Sequence, residues 1–553
     1  MNEVKTESIE RWIKARIKLG INNPDEILKD IIKERPEVQY DQRAIGRICT
    51  IAKQLLQKQE TKDKEVEEKD QWTPALDDET FKMIHPAIDF STDICYIGTR
   101  IPCKSSNTER IKLKYVLISE NGEILPLNSD TLAEKNIELE TEIMNFKPRW
   151  SFASINQFTK NPKIIEEINI TELFNGIRSQ LVYYIYFEEE ELYDILSCWI
   201  IGTYFYKLFG KYPYFQLKGI QGSGKTKTAK TVGWTSFNGQ LGLDYSRSSI
   251  FRTVHSTRGT QIIDENEALG TRSEAKQNIE DLLNSGFEDG IPVPRVERIK
   301  EDGIEKFVTI YYEVYSPKFI ANIKGISKAS TSERTIEATM VKCGKKEQGN
   351  REPEFNDPRW QSIRDTLYYC TFKYWKIIRE TKEEVKKDIE SEITSRDLDV
   401  WLPILTIANL VGDSVYNKIK EASEKFIKQK KVEIAEKSDE ARLLKIFLKK
   451  DIFEEIFNAK LKDKGYDTYL DDDIDKTPKY RVKDITNYLI GTLKWNPTYN
   501  TERSIGRKIT TLKCFVKKGS DGEGIWYQFT PERLEEIKES FGWEFEEEDK
   551  NDS

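Results

Sequence analysis

The sequence predicts an α/β protein whose core is a parallel sheet flanked by helices, and three observations predict this class. A short apolar strand pattern at residues 214–218 runs into a glycine-rich loop and then into a helical pattern from residue 227. A second apolar strand, residues 261–263, ends in two carboxylates, and a third, residues 319–321, ends in Asn322. Strands that alternate with helices are typical of a parallel sheet, whose strand ends gather polar groups at one edge.

The composition limits the classes of protein to which this chain can belong. A chain of 553 residues is too long to fold around a single hydrophobic core, and at about 150 residues per domain it should contain three or four domains. The 87 Lys and Arg residues are balanced by 95 Asp and Glu residues, so any surface that binds nucleic acid must be local. Seven cysteines without a C-x-x-C pair, and only two histidines, argue against a zinc site. No apolar segment is long enough for a bilayer and none resembles a signal region, so we expect a cytoplasmic protein without a membrane partner.

The first 212 residues divide into four expected regions. Residues 1–58 form a helical N-terminal module, with helices at 7–17, 24–33 and 41–56, which could bind DNA or dock a replication partner. Residues 59–72 form a charged linker or a solvated helix. Residues 73–160 form a β-rich region of open function, with a hairpin turn at Asn121-Gly122, and residues 161–212 form a helical lead-in.

The glycine-rich loop fits the phosphate-binding pattern G-x-x-x-x-G-K-[ST]. Its expected ATP-binding residues are Gly219, Gln221, Gly222, Ser223, Gly224, Lys225 and Thr226. Glycines let backbone N–H groups close around phosphates, and the following helix presents its positive end to them. Lys225 would neutralise the β and γ phosphate oxygens, and the Thr226 hydroxyl would bind Mg²⁺. ATP and Mg²⁺ are therefore the expected cofactors.

The two carboxylates after the second strand would complete an ATPase site. Asp264 would hold the Mg²⁺ shell, and Glu265 would polarise the attacking water. Glu267 is a competing base that lies two residues further into the loop. The alternative is that these carboxylates only form a charged exit from the strand.

This order of motifs resembles the AAA+ ATPases, in particular the branch of superfamily 3 and MCM-type replicative helicases. The resemblance implies that Asn322 is the sensor 1 residue, which orients water near the γ-phosphate. It implies that Arg334 is a finger that reaches the ATP of the neighbouring subunit, and hence a homo-oligomer, expected to be a hexameric ring. A turn residue for Asn322 and a surface ion pair for Arg334 are the alternatives.

Two segments, residues 282–295 and residues 396–412 with their Arg/Asp/Trp/Pro/Ala/Gly pattern, resemble a P-loop family of mobile genetic elements that is often fused to primases. The resemblance runs from about residue 215 to 420. Residues 213–345 would be the AAA+ core, and residues 346–440 a helical lid and connector. The resemblance implies that Arg396 is a sensor 2 residue that contacts ATP in its own subunit. The alternative is an ordinary residue at the start of a lid helix.

Residues 291–300 and 304–314 flank Asp302-Gly303 and are typical of a β-hairpin. In the helicase branch, a hairpin at this place projects into the central pore and grips nucleic acid. The expected phosphate contacts are Arg295, Arg298, Lys300 and Lys306. Neighbouring acids dilute this charge, so an ordinary surface hairpin is the alternative.

Residues 441–542 resemble a winged-helix domain, with two helices at 482–493 and 500–512 followed by a hairpin at 515–529. The expected DNA contacts are Arg503, Arg507 and Lys508 on the outer side of the second helix, and Lys517 and Lys518 on the wing. Winged helices also bind proteins, which is the alternative. The acidic tail, residues 543–553, is expected to be disordered.

The sequence therefore predicts an ATP-dependent, ring-forming DNA helicase or translocase that acts on single-stranded or forked DNA to replicate a plasmid, virus or other mobile element. An alternative is an ATP-switched replication initiator or helicase loader that binds DNA without unwinding it. A third is one part of a primase-helicase, although residues 72–160 contain no paired-aspartate primase signature.

Overall fold

The computed structural model describes residues 12–17, 21, 23–36, 38, 42–67, 80–91, 93–105, 110–143, 149–242, 247–264, 281–301, 304–322, 329–393, 395–449, 452–456 and 479–543. They fall into two compact units, Met1–Thr80 and Phe81–Ser553. No helix in this part of the chain is both long enough and apolar enough to cross a membrane.

The first unit is helical. Helix α1 spans Pro24–Glu34, helix α2 spans Gln42–Glu67, and a further helical segment lies at residues 12–17. Helix α1 begins where the sequence predicts, because the Asn23 side chain accepts a hydrogen bond from the first turn and Pro24 needs no partner there. The residues before 12, where the first helix was expected to start, lie outside the described ranges.

Helix α2 continues beyond residue 56, where the sequence predicted its end. It runs as a helix through the first part of the predicted linker, and residues 68–79 lie outside the described ranges. Buried isoleucines hold the unit together, among them Ile13, Ile27, Ile31 and Ile48.

The second unit begins with β-structure. Its strands are β1 (Lys82–Ile84), β2 (Ile88–Asp89), β3 (Tyr96–Lys104), β4 (Ile111–Ser119), β5 (Ile124–Pro126) and β6 (Ile137–Leu139), with helix α3 (Ser129–Glu134) between the last two. Strands β2 to β5 form an antiparallel sheet in chain order, and β1 pairs in parallel with β6. The turn at Asn121-Gly122 connects β4 and β5, and Gly122 has the positive φ that such a turn favours.

A five-stranded sheet forms the centre of this unit. The strands that follow along the chain are β7 (Tyr214–Gly219), β8 (Gln240–Gly242), β9 (Gln261–Asp264), β10 (Val293–Glu301), β11 (Ile304–Tyr312), β12 (Lys318–Asn322) and β13 (Thr335–Met340). The central sheet has the order β13-β7-β12-β9-β8, and every pair in it is parallel. Strands β10 and β11 form a separate antiparallel hairpin.

Helices cover the central sheet. They are α4 (Phe152–Lys160), α5 (Ile170–Tyr184), α6 (Glu191–Gly202), α7 (Lys225–Thr235), α8 (Arg247–Thr257), α9 (Ala329–Ser332), α10 (Lys346–Asn350), α11 (Pro358–Ile389), α12 (Ser395–Val411) and α13 (Asp413–Lys437), with 3₁₀ turns at Pro162–Glu167 and Tyr206–Leu208. Trp199 of α6 packs on the stacked rings of Phe215 and Phe319 from neighbouring strands. The predicted class, a parallel sheet flanked by helices, is confirmed.

One apolar core extends through most of the second unit. It includes Ile97 of β3, Trp199 of α6, Phe319 of β12 and Trp375 of α11. Arg258, just after α8, adds a polar contact, because it donates to the carbonyl of Ile88 at 2.7 Å. The β-rich region and the central sheet are therefore packed together through shared side chains.

A second core belongs to the C-terminal module, which we define as residues 439–543. Its elements are α14 (Asp439–Phe447), β14 (Tyr480–Arg481), α15 (Val482–Gly491), α16 (Glu502–Leu512), β15 (Lys517–Asp521), β16 (Gly524–Gln528) and α17 (Pro531–Phe541). Strand β16 pairs antiparallel with both β14 and β15. Ile505, Ile509 and Leu512 of α16 face the core, as their spacing predicts. The acidic tail from residue 544 lies outside the described ranges.

Candidate nucleotide-binding and nucleic-acid sites

The glycine-rich loop connects β7 to α7 at the carboxyl edge of the central sheet. Gly222 and Gly224 have φ values of +80° and +98°, a left-handed region that favours glycine. Helix α7 begins directly after Gly224, at Lys225, so the N–H groups of its first turn are available to an anion held in the loop. The local sequence predicted this arrangement.

Two polar side chains of the loop are buried. Lys225 is only 2% exposed, and its Nζ donates to the carbonyl oxygens of Gly219 and Ile220 at 2.8 and 3.1 Å. The Ser223 hydroxyl is buried without a hydrogen-bond partner among the described residues. A buried hydroxyl that lacks a partner is costly, and a phosphate oxygen would satisfy it. The loop therefore fits a phosphate group.

Thr226 and Asp264 meet below the loop. The Thr226 hydroxyl donates to Asp264 Oδ1 at 3.4 Å, although the two residues lie on α7 and at the end of β9. Hydroxyl and carboxylate oxygens are the ligand types that Mg²⁺ prefers, usually together with water and phosphate. The pair fits a magnesium ion, whereas Glu265, the predicted base, lies outside the described residues.

Asn322 ends the strand that lies between the loop strand and the Asp264 strand. Its side-chain oxygen accepts a hydrogen bond from Gln216 Nε2 at 2.9 Å. Gln216 lies within β7 and is fully buried. The strand order therefore places Asn322 at the same sheet edge as the loop and Asp264, as their positions at strand ends predict.

A cleft of about 320 Å³ adjoins the loop. Besides residues 222–227, it is lined by Tyr184, Ile185, Tyr186, Lys230, Met340, Cys343, Gln348, Gly349 and Glu352. Gln348 fixes one wall, since its side-chain nitrogen donates to the carbonyls of Val182 and Ile185, each at 2.8 Å. This wall was not predicted from the sequence, because its residues come from distant segments and match no local motif.

Arg334 lies at the opposite edge of the sheet. It immediately precedes β13, whose first residue pairs with Tyr214, the first residue of β7. Its guanidinium donates to the Asn284 carbonyl at 2.6 Å and lies 5.6 Å from the ring of Phe287. Since β7 has six residues, about 16 Å of strand separates this edge from the loop.

The placement of Arg396 differs from the prediction that it contacts ATP in its own subunit. Its guanidinium also lies 5.6 Å from the ring of Phe287, and that ring packs edge-on against Tyr214. Arg396 thus shares the far edge of the sheet with Arg334. The physical reason is that α12 packs between α11 and α13, which fixes where its first turn lies.

The hairpin of β10 and β11 has fewer available cations than the sequence suggested. Arg295 pairs with Asp281 at 3.0 Å and stacks on Phe251 at 4.3 Å, so it belongs to the root. Arg298 forms an ion pair with Glu305. Lys306 is exposed, whereas the side chain of Lys300 lies outside the described set.

The same hairpin has an outward apolar face that the sequence analysis did not single out. Phe307 is 76% exposed, Val296 69% and Tyr311 63%. Val296 pairs with Thr309, so these two side chains share a face. Phe307 and Tyr311 are each two residues from Thr309 on the same strand, and therefore lie on that face as well. Two exposed rings on one hairpin face are suited to stacking on bases.

In the C-terminal module, a cleft of about 510 Å³ lies between α16 and the β15–β16 hairpin. Arg503, Arg507 and Lys518 line it, together with Arg481 and Lys483. Lys517 is exposed on β15. Arg481 pairs with Asp521 and Glu523, at 2.5 and 3.0 Å, which removes part of the positive charge.

The position of Lys508 differs from the prediction. It was expected on the outer side of α16, but its Nζ donates to Asp439 Oδ2 at 2.7 Å and to Asn500 Oδ1 at 3.1 Å. Its side chain is only 13% exposed. Lys508 therefore joins α16 to α14 and is not placed for contact with DNA.

Comparison with known proteins gives distant likenesses only. No protein-family profile matches the chain, and no curated protein matches it. Among solved structures, it is similar to the apo form of the NrS-1 C-terminal region, with 12% identity, 78% of this chain and 96% of that chain covered, and a TM-score of 0.27. It is also similar to JCV helicase, with 11% identity, coverage of 50% and 77%, and a TM-score of 0.17. Scores this low carry no functional argument, so function rests on the residues of this chain.

Proposed function

We propose that this chain is an ATP-driven, ring-forming DNA helicase or translocase of the kind that mobile elements use for their own replication. The observation that carries the proposal is the 3.4 Å approach of the Thr226 hydroxyl to Asp264 Oδ1 beneath a glycine-rich loop. Chemistry on a nucleoside triphosphate needs a phosphate cradle with a metal site beside it, and Thr226 and Asp264 would supply two oxygen ligands to that metal. Both are built from separate elements that meet at one sheet edge.

Each part of the site has a task in ATP hydrolysis. The loop N–H groups, Ser223 and Lys225 would hold the phosphates, and Thr226 and Asp264 would hold Mg²⁺. The bound ion would neutralise phosphate charge. Asn322, with Glu265, would orient the attacking water, and the aromatic and apolar wall of the cleft suits a purine ring.

The arginines support a ring. Arg334 and Arg396 lie at the sheet edge opposite the loop, so neither is placed to reach a nucleotide bound in its own subunit. A second copy, docked with its loop against this edge, would bring its γ-phosphate to them. An arginine supplied in trans stabilises charge that develops in phosphoryl transfer. Repeating such a head-to-tail contact closes a ring.

The exposed face of the β10–β11 hairpin supports a grip on single-stranded DNA. Phe307 and Tyr311 would stack on bases, a contact that tolerates any sequence. The hairpin leads directly through β11 towards β12, which ends in Asn322. A movement of Asn322 when the γ-phosphate is released would therefore be transmitted to the hairpin through a short stretch of backbone.

The test is DNA-stimulated ATP hydrolysis together with strand displacement on a forked substrate. Lys225→Ala should abolish both while the far-ultraviolet circular dichroism stays unchanged. Lys425→Ala, an exposed lysine on α13, is the matched control and should retain both activities. This function would be excluded if DNA did not stimulate ATP hydrolysis by the wild-type protein, or if the Lys225→Ala variant still unwound DNA.

A second candidate is an initiator or loader that binds duplex DNA and hydrolyses ATP slowly without unwinding. The observation that favours it is that Arg295 and Arg298 of the hairpin are ion-paired, while Arg503 and Arg507 are exposed in the C-terminal cleft. Such a protein would protect a defined duplex site from cleavage and fail to displace a strand. A footprint beside the strand-displacement assay separates the two functions.

A further inference from the structure

The outer ends of β3 and β4 extend beyond the buried part of their sheet. From Tyr96 to Thr99 and from Val116 to Ser119, every residue is buried. Beyond those points, residues 100–105 and 110–115 are exposed or half-buried. We name these two segments the β3–β4 arm. It is a two-stranded ribbon that continues for about 17 Å past the last buried pair, Thr99 and Val116.

The arm is strongly basic. Its segments hold five cationic residues and no acidic residue, namely Arg100, Lys104, Arg110, Lys112 and Lys114. Residues 106–109, which lie between the two segments in the sequence, include one acid, Glu109. The chain as a whole has a formal charge of −8, so this concentration of positive charge is local and is not a property of the composition.

The register distributes the cations over both faces of the ribbon. Lys112 pairs with Cys103 and Lys114 with Ile101, which puts the two lysines on one face. Arg100 pairs with Tyr115, and Lys104 pairs with Ile111. Tyr115 and Ile111 are each one residue away from a lysine of the first face, so Arg100 and Lys104 lie on the opposite face. A ribbon with positive charge on both faces can meet two walls of negative charge at once.

The arm is held firmly at its root. The Tyr115 hydroxyl donates to the Pro86 carbonyl at 3.0 Å. A Cβ atom at Gly98 would lie only 1.7 Å from the same carbonyl oxygen, so the chains touch backbone to backbone there. Ile97 and Val116 belong to the core that contains the central sheet. The arm therefore has a fixed direction relative to the nucleotide site.

We propose that the β3–β4 arm binds duplex DNA by lying in a groove. The major groove, about 12 Å wide, admits a two-stranded β-ribbon, and its two walls are lined by phosphates. Lys112 and Lys114 would contact one wall, and Arg100 and Lys104 the other. Ile111 and Leu113, 68% and 42% exposed, lie on the same face as Arg100 and Lys104 and would contact the sugars of that wall.

This contact is separate from the proposed ATPase. A helicase that holds the unopened duplex while its hairpin holds one strand would be oriented at a fork. Single-stranded DNA presents only one line of phosphates, so it would use one face of the arm. The geometry therefore favours duplex over single-stranded DNA.

The test compares two double variants of the full-length protein. Lys112→Ala with Lys114→Ala removes two cations from one face at exposed strand positions that carry no core packing. Lys160→Ala with Lys163→Ala removes two exposed lysines outside the arm and is the matched control. Binding of a labelled 30-base-pair duplex and of a single strand is measured by fluorescence anisotropy across a salt series.

The arm variant should bind the duplex roughly tenfold more weakly near 0.1 M salt, and the slope of log K against log salt should fall by about two. Its ATPase rate without DNA should equal that of the wild type, which separates failure of the arm from failure of the proposed ATPase. Unchanged duplex binding, or a loss no larger than in the control, overturns the proposal. An equal loss for single-stranded DNA overturns the assignment to duplex.

Discussion

His85 and His255 contact each other although 170 residues separate them. His85 Nε2 donates to the backbone carbonyl of His255 at 2.8 Å, while the Ala87 N–H donates to the other ring nitrogen of His85. The ring is therefore neutral, with its proton on Nε2. These are the only two histidines in the sequence. Their contact joins the β-rich region to α8.

This contact predicts a loss of stability in mild acid. Burial lowers the pKa of His85 well below its ordinary value, and the charge of Arg258 lowers it further. Below about pH 6.5 the unfolded chain takes up a proton that the folded chain refuses, so stability is present above that pH and falls with pH below it. Urea unfolding at pH 7.5 and 5.5 should show a loss of about 1 kcal/mol or more.

His85→Gln should lose less stability than the wild type over the same interval. Burial also lowers the pKa of His255, so part of the loss should persist in this variant. Equal losses in both proteins would show that His85 does not titrate differently on unfolding.

The bond between Gln216 and Asn322 predicts that one substitution will have two separable effects. Asn322→Ala should stop ATP hydrolysis and also destabilise the fold by about 1–3 kcal/mol, since it leaves the buried Gln216 amide without this partner. Adding Gln216→Leu should restore much of the stability without restoring hydrolysis. Recovery of hydrolysis in the double variant would mean that Asn322 acts only on the fold.

The position of Arg334 predicts complementation between subunits. Arg334→Ala alone should lose hydrolysis by roughly 10³-fold. Lys225→Ala alone should have no activity. An equal mixture should regain about a quarter of the wild-type rate in a ring, because sites with an intact loop then face an intact arginine. A mixture as inactive as its components would place the arginine outside the neighbour's site.

The outward face of the hairpin predicts that aromatic residues matter more than its paired cation. Phe307→Ala should weaken binding of single-stranded DNA by about 1–3 kcal/mol, the range for a base stacked on a ring. Arg298→Ala should have a smaller effect, because the paired carboxylate of Glu305 already offsets the positive charge that Arg298 would present to phosphate. Filter binding with a labelled oligonucleotide measures both, and the reverse order would favour a phosphate grip.

Two neighbouring cations of α16 should behave differently. Lys508→Ala should lower the stability of the C-terminal module by about 1 kcal/mol, since Asp439 and Asn500 both lose a partner. Arg507→Ala should leave stability unchanged and weaken DNA binding, because its side chain is exposed in the cleft. Thermal unfolding and anisotropy distinguish them, and a loss of DNA affinity without destabilisation in Lys508→Ala would contradict this assignment.

Local chemistry explains which features the sequence predicted. The turn glycines of the phosphate loop and the cap at Asn23 depend on residues within a few positions of one another, and both occur where expected. The parallel sheet was predicted from short apolar segments that end in polar residues. Sequence periodicity also placed Ile505 and Ile509 in the core.

Long-range packing explains what the sequence did not predict. Lys508 lies three residues after Ile505 and one before Ile509, at the margin of the buried face of α16. Its ion pair with Asp439, which is distant in the sequence, directs the side chain towards α14 and away from solvent. The position of Arg396 depends on how α12 packs against α11, a helix of 32 residues. The basic β3–β4 arm escaped notice because its cations alternate along two strands and form no run in the sequence.

The apolar core shared by Ile97, Trp199 and Trp375 has a practical consequence for dissecting this protein into fragments. A fragment that starts at the phosphate-loop strand would lose Trp199 and uncover Phe215 and Phe319, and a surface of that kind promotes aggregation. The shortest soluble fragment that contains the glycine-rich loop should therefore start near Phe81 and stop before Asp439, where the second core begins. Limited proteolysis should release a fragment with those ends.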